Sequence, residues 1–301
     1  LLLASKEGHC TIIQILCLAD EQSRGLRKLK ILEDADDDGL TPLHYAVQYN
    51  RLQAVQELLQ WGADPNICDI HLTTPLHICA VEGLSDLVPL LIKFRADPDK
   101  QDLEGKTPLH RAVEHQKTEV VTALLNEGAD IDKQDFSRQS PLNLACAKGY
   151  QEVVRLLIKF DADLTKKNFY GQSFVHVSAL EGQLDVLELL LEHCDETMHC
   201  KLDIFDQTAL HLAARQKDAR FINALLTRGY SPDDRDIMGQ IPLHIAASFS
   251  SNETVRRLAQ VTHNVDTLNK ENKTALFLAC EAGNRDALSG LIDHGANVRA
   301  T

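Results

Sequence analysis

The sequence predicts an all-α solenoid of helix-turn-helix units, and three observations carry that expectation. The stretch Asp36-Asp37-Asp38-Gly39-Leu40-Thr41-Pro42-Leu43-His44 sets a pattern that returns to the end of the chain. With Thr41 as marker, the slot is next filled by Thr74, Thr107, Ser140, Ser173, Thr208, Ile241 and Thr274, at intervals of 33 residues except for 35 between Ser173 and Thr208. A fixed period of this kind marks stacked units that bury their apolar faces only against neighbours. The units also carry two apolar stripes at helical spacing and close on a Gly-Ala-Asp or a variant of it, a signal lost in repeat five where the period lapses.

Taken in order within one unit, Thr41 suits a helix N-cap, because its hydroxyl can accept from an orphan amide of the first turn. Pro42 suits the first helical position, where no N–H is needed. Leu43, Ala46 and Val47 then face a neighbouring unit. After a break at Asn50-Arg51, Val55, Leu58 and Leu59 mark a second helix. Gly62 supplies the left-handed residue that ends it, and Asp69 opens the next turn.

A 33-residue unit with Thr-Pro-Leu-His, a central small pair and Gly-Ala-Asp resembles the ankyrin repeat. The resemblance covers eight repeats, at 36–68, 69–101, 102–134, 135–167, 168–202, 203–235, 236–268 and 269–301, with residues 1–35 as a partial repeat carrying an insertion. It implies a unit of two antiparallel helices with a projecting β-hairpin-like finger, stacked into one curved array, monomeric, that binds partners on its concave side.

The insertion lies at 20–33, where Asp20-Glu21-Gln22-Ser23-Arg24-Gly25 and the basic Arg27, Lys28 and Lys30 follow a second helix bearing Ile12, Ile13, Ile15 and Leu16. A solvated loop is expected there, an extended helix being the other option. In the second repeat Leu72 occupies a finger slot that ordinarily holds Gly, and Arg138 does the same in the fourth. Pro89, with Ser85 as cap, should distort the second helix of its repeat locally. Asn143 stands in the His slot of repeat four, and Phe174 in the Pro slot of repeat five. In repeat seven Ile241 cannot cap through a hydroxyl, and Val255, Leu258 and Ala259 make a weak second stripe; repeat eight has Phe277 for His.

The formal charge of -13 argues against a nucleic-acid partner, since phosphate neutralisation needs clustered Lys and Arg. No run of 18 apolar residues or charged leader occurs, so neither a membrane span nor a signal peptide is expected within these residues. Cys79, Cys146 and Cys280 fall in the small central slots and read as reduced core residues, which points to a reducing, intracellular location, cytoplasmic or nuclear. The absence of an initial Met suggests a piece of a longer protein.

Chemistry has little support in the sequence. Of the 13 histidines, His44, His77, His110, His176, His211 and His244 all sit three residues after the cap slot, a spacing suited to returning a hydrogen bond to the cap. The cluster His193, Cys194, His199 and Cys200 has ligand types suited to zinc, but two adjacent pairs seldom converge on one ion, and the expectation is a joint in the stack without metal. No phosphate loop, His-Glu-x-x-His or nucleophile elbow occurs. No catalytic residue, metal or cofactor is expected.

Information about a partner should reside where the repeat does not dictate the residue. The first slot after the opening Asp or Asn of each finger reads Asp37, Ile70, Leu103, Phe136, Phe169, Ile204, Ile237 and Lys270. The second slot adds Tyr170, Phe205 and Met238, and slots after the central pair of the first helix add Leu180 and Phe249. Exposed, these form an apolar ribbon fit for an interaction; otherwise they pack finger to finger. Asp34, Asp36, Asp37 and Asp38 with Glu104 and Glu114 suggest an acidic mouth, and Lys270 and Lys273 a basic end, so a partner with a basic segment would match. The expected function is a non-enzymatic scaffold or adaptor module binding a protein or peptide. Other options are the cytoplasmic array of a membrane channel, the targeting part of an enzyme whose chemistry lies elsewhere, and an inhibitor that masks a transcription factor.

Overall fold

The computed structural model describes residues 1–24, 29–193 and 202–299. Those residues form nine helix pairs and no strand, an all-α repeat solenoid. The chain divides into two compact units, Leu1–Leu144 with Arg155–Ala162, and Ala145–Val154 with Asp163–Thr301.

In the first unit the pairs are Leu2–Glu7 with Cys10–Arg24, Pro42–Gln48 with Leu52–Gln60, Pro75–Glu82 with Leu87–Lys93, and Pro108–Glu114 with Thr118–Asn126. Their cores follow from the stripes: Leu43, Ala46, Val47, Val55, Leu58 and Leu59 are buried in one repeat, and Leu76, Cys79, Ala80, Val88 and Leu91 in the next. In the second unit the pairs are Phe174–Leu180 with Leu184–His193, Ala209–Ala213 with Arg220–Leu226, Pro242–Phe249 with Asn252–Val261, and Ala275–Glu281 with Arg285–Asp293. The remaining pair, Pro141–Lys148 with Gln151–Lys159, contains the division between the units.

One joint repeats through both units. The buried His at the third helical position accepts through Nδ1 from the backbone N–H of its own cap, at 3.2 Å from Thr41 to His44 and 3.1 Å from Thr208 to His211. Its Nε2 donates to a carbonyl at the end of the next finger, Thr73 for His44, Lys106 for His77, Gln139 for His110 and Gln240 for His211. Ile241 keeps this joint without a hydroxyl: its backbone N–H donates to His244 Nδ1 at 3.1 Å, and His244 Nε2 reaches the carbonyls of Thr267 and Lys273 at 3.0 and 3.3 Å. The weak stripe after it is a regular helix, with Val255 and Leu258 buried and Ser251 accepting from the Thr254 amide at its start.

Several expectations are corrected. Ser85 does not cap: the helix starts at Leu87, after a tight turn in which Leu87 and Val88 donate three residues back to Leu84 and Ser85. Pro89 therefore lies in the first turn, where its missing N–H breaks no helical bond. The inserted segment is an extended helix as far as Arg24, not a loop, and the chain returns through a short 3-10 turn, Lys30–Leu32, with Leu29 and Leu32 buried; residues 25–28 lie outside the described residues. On that helix Ile13 and Cys17 face inward while Ile12 and Ile15 are exposed. Burial pushes the Cys17 thiol up to about 11. Cys79 and Cys146 are core residues, but Cys280 is exposed. Its equivalents Val47, Ala80, Val113, Ala179, Ala214 and Ala247 are fully buried on the face turned to the following repeat, and no described residue covers that face of the last pair. Phe277 is exposed there for the same reason, whereas the histidines it replaces are buried.

Candidate functional site

Each finger is a tight turn built by its opening Asp or Asn. Asp69 Oδ1 accepts from the amides of His71 and Thr73 at 2.8 and 2.7 Å, and Asp203 Oδ1 does so from Phe205 and Gln207 at 2.8 and 2.9 Å. The turn needs a left-handed residue in its fourth position. Leu72 and Arg138 adopt φ of 58° and 57° there without being glycine, as do Asp206 and Asn272. The finger's backbone amides are thus consumed inward, and the two residues after the opening Asp or Asn project.

Successive fingers are tied by one backbone bond each. The first projecting residue donates its N–H to the carbonyl of the second projecting residue in the finger before: Leu103 to His71 and Phe136 to Glu104 in the first unit, Ile204 to Tyr170 and Ile237 to Phe205 in the second. These bonds use main chain only. In the first unit Ile70, Leu103 and Phe136 are exposed, Phe136 by 69%, although its ring lies over Gly105, where an added Cβ would stand 2.5 Å from Phe136 Cδ1. In the second unit Phe169, Tyr170, Ile204, Phe205, Ile237 and Met238 are all exposed, and the rings of Phe169 and Tyr170 meet edge to face at 5.9 Å between centroids. Of the helix residues, Phe249 is 60% exposed and Leu180 is half-buried.

The charges are arranged differently from the expected acidic mouth. Glu104 and Glu114 are both engaged by Lys106, at 2.8 and 2.9 Å, and by Arg111, at 3.1 and 2.7 Å, and Arg111 also reaches the buried Asp102 at 2.7 Å. The hydrogen bond from Lys106, then that from Arg111, holds the Glu104 carboxyl below its ordinary value. Burial would raise Glu114, but the same two cations outweigh it and lower it. Of the expected acidic mouth Asp34, Asp37 and Asp38 are exposed and form no ion pair among the described residues, as is also true of Glu82. Lys273 is likewise consumed by Glu271 and Glu281, both at 3.1 Å, and Lys270 donates to the Ile237 carbonyl at 2.6 Å. Sequence reasoning missed the network around Arg111, whose signal was an Arg nine residues after the opening Asp102 and three before Glu114.

Between the second and third fingers and their helices runs a groove of about 390 Å³. His71, Thr73, His77 and Val81 line it from one repeat, Leu103, Glu104, Arg111 and His115 from the next. Finger slots and helix slots therefore share one wall-to-wall space, although nothing in their sequence spacing announces it. No cluster of metal ligands exists among the described residues. His193 caps its helix, its Nδ1 2.9 Å from the Leu189 carbonyl, while Cys194, His199 and Cys200 lie outside the described residues. No helix is long and apolar enough to cross a membrane among the described residues.

Comparison with known proteins matches this architecture to ankyrin repeats. A three-copy profile of ankyrin repeats fits residues 66–135, 133–201 and 210–301, and a single ankyrin repeat fits 38–70. Human transient receptor potential cation channel subfamily A member 1 is 32% identical over 102 residues, 34% of this chain and 9% of that protein. Dog inversin is 34% identical over 100 residues, 33% of this chain and 9% of inversin. Mouse protein phosphatase 1 regulatory subunit 12A is 33% identical over 89 residues, 30% of this chain and 8% of that subunit. The chain thus covers under a tenth of the length of each of these three relatives.

Proposed function

The chain belongs to the ankyrin repeat family, and from that premise we propose that it is a non-enzymatic recognition module whose exposed fingertips bind an apolar segment of another protein. The observation that carries the reading is the run Phe169, Tyr170, Ile204, Phe205, Ile237 and Met238. Their main chains already hold the fingers together, so their side chains are left over for something else. Large aromatic and aliphatic groups kept in water at one period over neighbouring repeats are what the core of an interface requires. In the first unit Asp37 and Asp38 remain for a basic stretch of the partner, charge setting orientation and on-rate more than affinity.

A second reading concerns the parent. The 102-residue match to a cation channel favours an array carried by a channel-like membrane protein, with the same fingertips as its recognition face. The 89-residue match to a phosphatase regulatory subunit supports a regulatory scaffold instead.

The test is capture from cell extract on the immobilised chain beside a variant carrying Phe169→Ser and Ile237→Ser, with captured proteins identified by mass. Proteins retained by the parent and lost by an equally stable variant are expected. An identical set on both would remove the fingertips from the binding face.

A further inference from the structure

The groove of about 390 Å³ in the second and third repeats has a counterpart in the sixth and seventh. Thr208 stands in the place of Thr74, an offset of 134 residues, and the main chain repeats at that offset. Ile237 donates to the Phe205 carbonyl at 3.0 Å as Leu103 does to His71 at 3.2 Å. His211 reaches the Gln240 carbonyl at 3.1 Å as His77 reaches Lys106 at 3.0 Å. The same walls are therefore present, but their chemistry is inverted.

Where the first groove has Glu104 and Arg111 in an ion network, the second has Met238 and Ile245. His71 becomes Phe205 and His115 becomes Phe249. One change runs the other way: Val81 becomes Arg215. Its guanidinium carbon lies 5.6 Å from the centroid of the Phe249 ring, which confirms that these two slots face each other across the groove. Arg215 is exposed, and among the described residues its side chain makes no ion pair and no hydrogen bond. Lys270 is held by the Ile237 carbonyl, to which it donates at 2.6 Å, and Lys273 is neutralised by Glu271 and Glu281.

A lone guanidinium stacked on an aromatic ring and bordered by Phe205 and Met238 dictates what can cover it. A partner segment that buries its apolar side chains against these groups strips water from Arg215, and a buried cation without a counter-charge is costly. A carboxylate removes that cost and matches the planar fork, with the ring beneath fixing the plane. We infer that the groove of repeats six and seven takes an extended peptide segment in which an Asp or Glu side chain, set between large apolar residues, pairs with Arg215. The inference rests on the fingertip reading above and adds the charge and the address of the partner.

Panning a phage-displayed library of random dodecapeptides on the 301-residue chain tests it. Enriched peptides are expected to carry Asp or Glu beside Leu, Ile or Phe. A synthetic peptide of the enriched sequence should lose about tenfold in affinity on replacement of its acid by the amide, and about the same on Arg215→Gln in the protein, the two losses not adding. Arg215→Gln should melt with the parent, because the side chain is exposed, and Arg215→Glu should select basic peptides in place of acidic ones. Peptides that Phe205→Ala abolishes but that show no acid preference, or that bind the Arg215→Gln variant unchanged, would overturn this inference and leave the fingertip reading standing. Enrichment of no peptide sensitive to Phe205→Ala would overturn both.

Discussion

The Nε2 atom of His77 stands 3.0 Å from the carbonyl oxygen of Lys106, while Nδ1 of the same ring receives the Thr74 backbone N–H at 3.2 Å. A carbonyl can only accept, so Nε2 carries the proton and the neutral ring leaves Nδ1 as acceptor. The ring joins the start of one helix to the end of the next finger, and a second proton has no place in it.

Mild acid should therefore loosen the array. Burial, outweighing the favourable carbonyl bond, lowers the pKa of His44, His77, His110, His211 and His244 below the ordinary 6.5. With the folded value below the unfolded one, the unfolded chain binds more protons between the two, so stability is complete above about pH 6.5 and falls as pH drops below it. Each ring contributes a slope of at most about 1.4 kcal/mol per pH unit. Urea midpoints at pH 7.5, 6.5 and 5.5 should decline over the last step. A midpoint constant down to pH 5 would assign acid sensitivity to the carboxylates instead, among which the lowered Glu104 and Glu114 protonate only below their ordinary range.

Repeat four lacks this ring. Asn143 donates its backbone N–H to Ser140 Oγ at 3.3 Å, but its buried Nδ2 has no hydrogen-bond partner among the described residues. An orphaned buried polar group costs about 1–3 kcal/mol. Asn143→His replaces it with an acceptor opposite the Ser140 amide, and the melting temperature should rise by several degrees. A fall would mean that the slot has closed around the smaller side chain.

Arg111 holds three carboxylates, of which Asp102 is buried and also forms its finger turn. Arg111→Met keeps the apolar stem and removes the charge. Stripping one partner from a pair this shielded costs about 2 kcal/mol, less than in a sealed interior because Arg111 is partly exposed. The equilibrium unfolding midpoint should fall accordingly, and high salt should narrow the gap between variant and parent. Equal stability at low salt would reduce the network to surface decoration.

What the sequence made legible is what is decided within a few residues. Caps, the Pro at the first helical position, the central small pair and the turn-forming Asp each satisfy their own neighbours, so one repeat suffices to read them. The exposure of Cys280 was not legible, because the slot that buries Val47 is covered by the following repeat, and coverage is not a local property. Pro89 was misplaced because a turn can shift a helix start by one residue at almost no cost when the apolar face stays in register. The apolar fingertip residues were legible as slots, but the groove that faces them with Arg215 and Phe249 joins residues 34 apart in the chain, and only packing brings such pairs together.

Truncating a fingertip should separate recognition from folding. Phe205 is 43% exposed, and its two structural bonds, the amide to Asp203 and the carbonyl from Ile237, belong to the backbone and survive Phe205→Ala. Phe174, at the first position of its helix in place of Pro, is 1% exposed in the same unit and serves as the internal standard for a packed ring. Removing a buried Phe leaves a cavity and costs about 3–5 kcal/mol, whereas an exposed ring away from such features costs about 0.5 kcal/mol. Phe174→Ala should therefore unfold at much lower denaturant than the parent, and Phe205→Ala at nearly the same. Partner capture should be lost in Phe205→Ala at a temperature where both it and the parent are fully folded, because a hot-spot aromatic carries about 2 kcal/mol or more of binding. If Phe205→Ala instead destabilises as Phe174→Ala does, the fingertips hold one another together, and any loss of binding follows from loss of the fold.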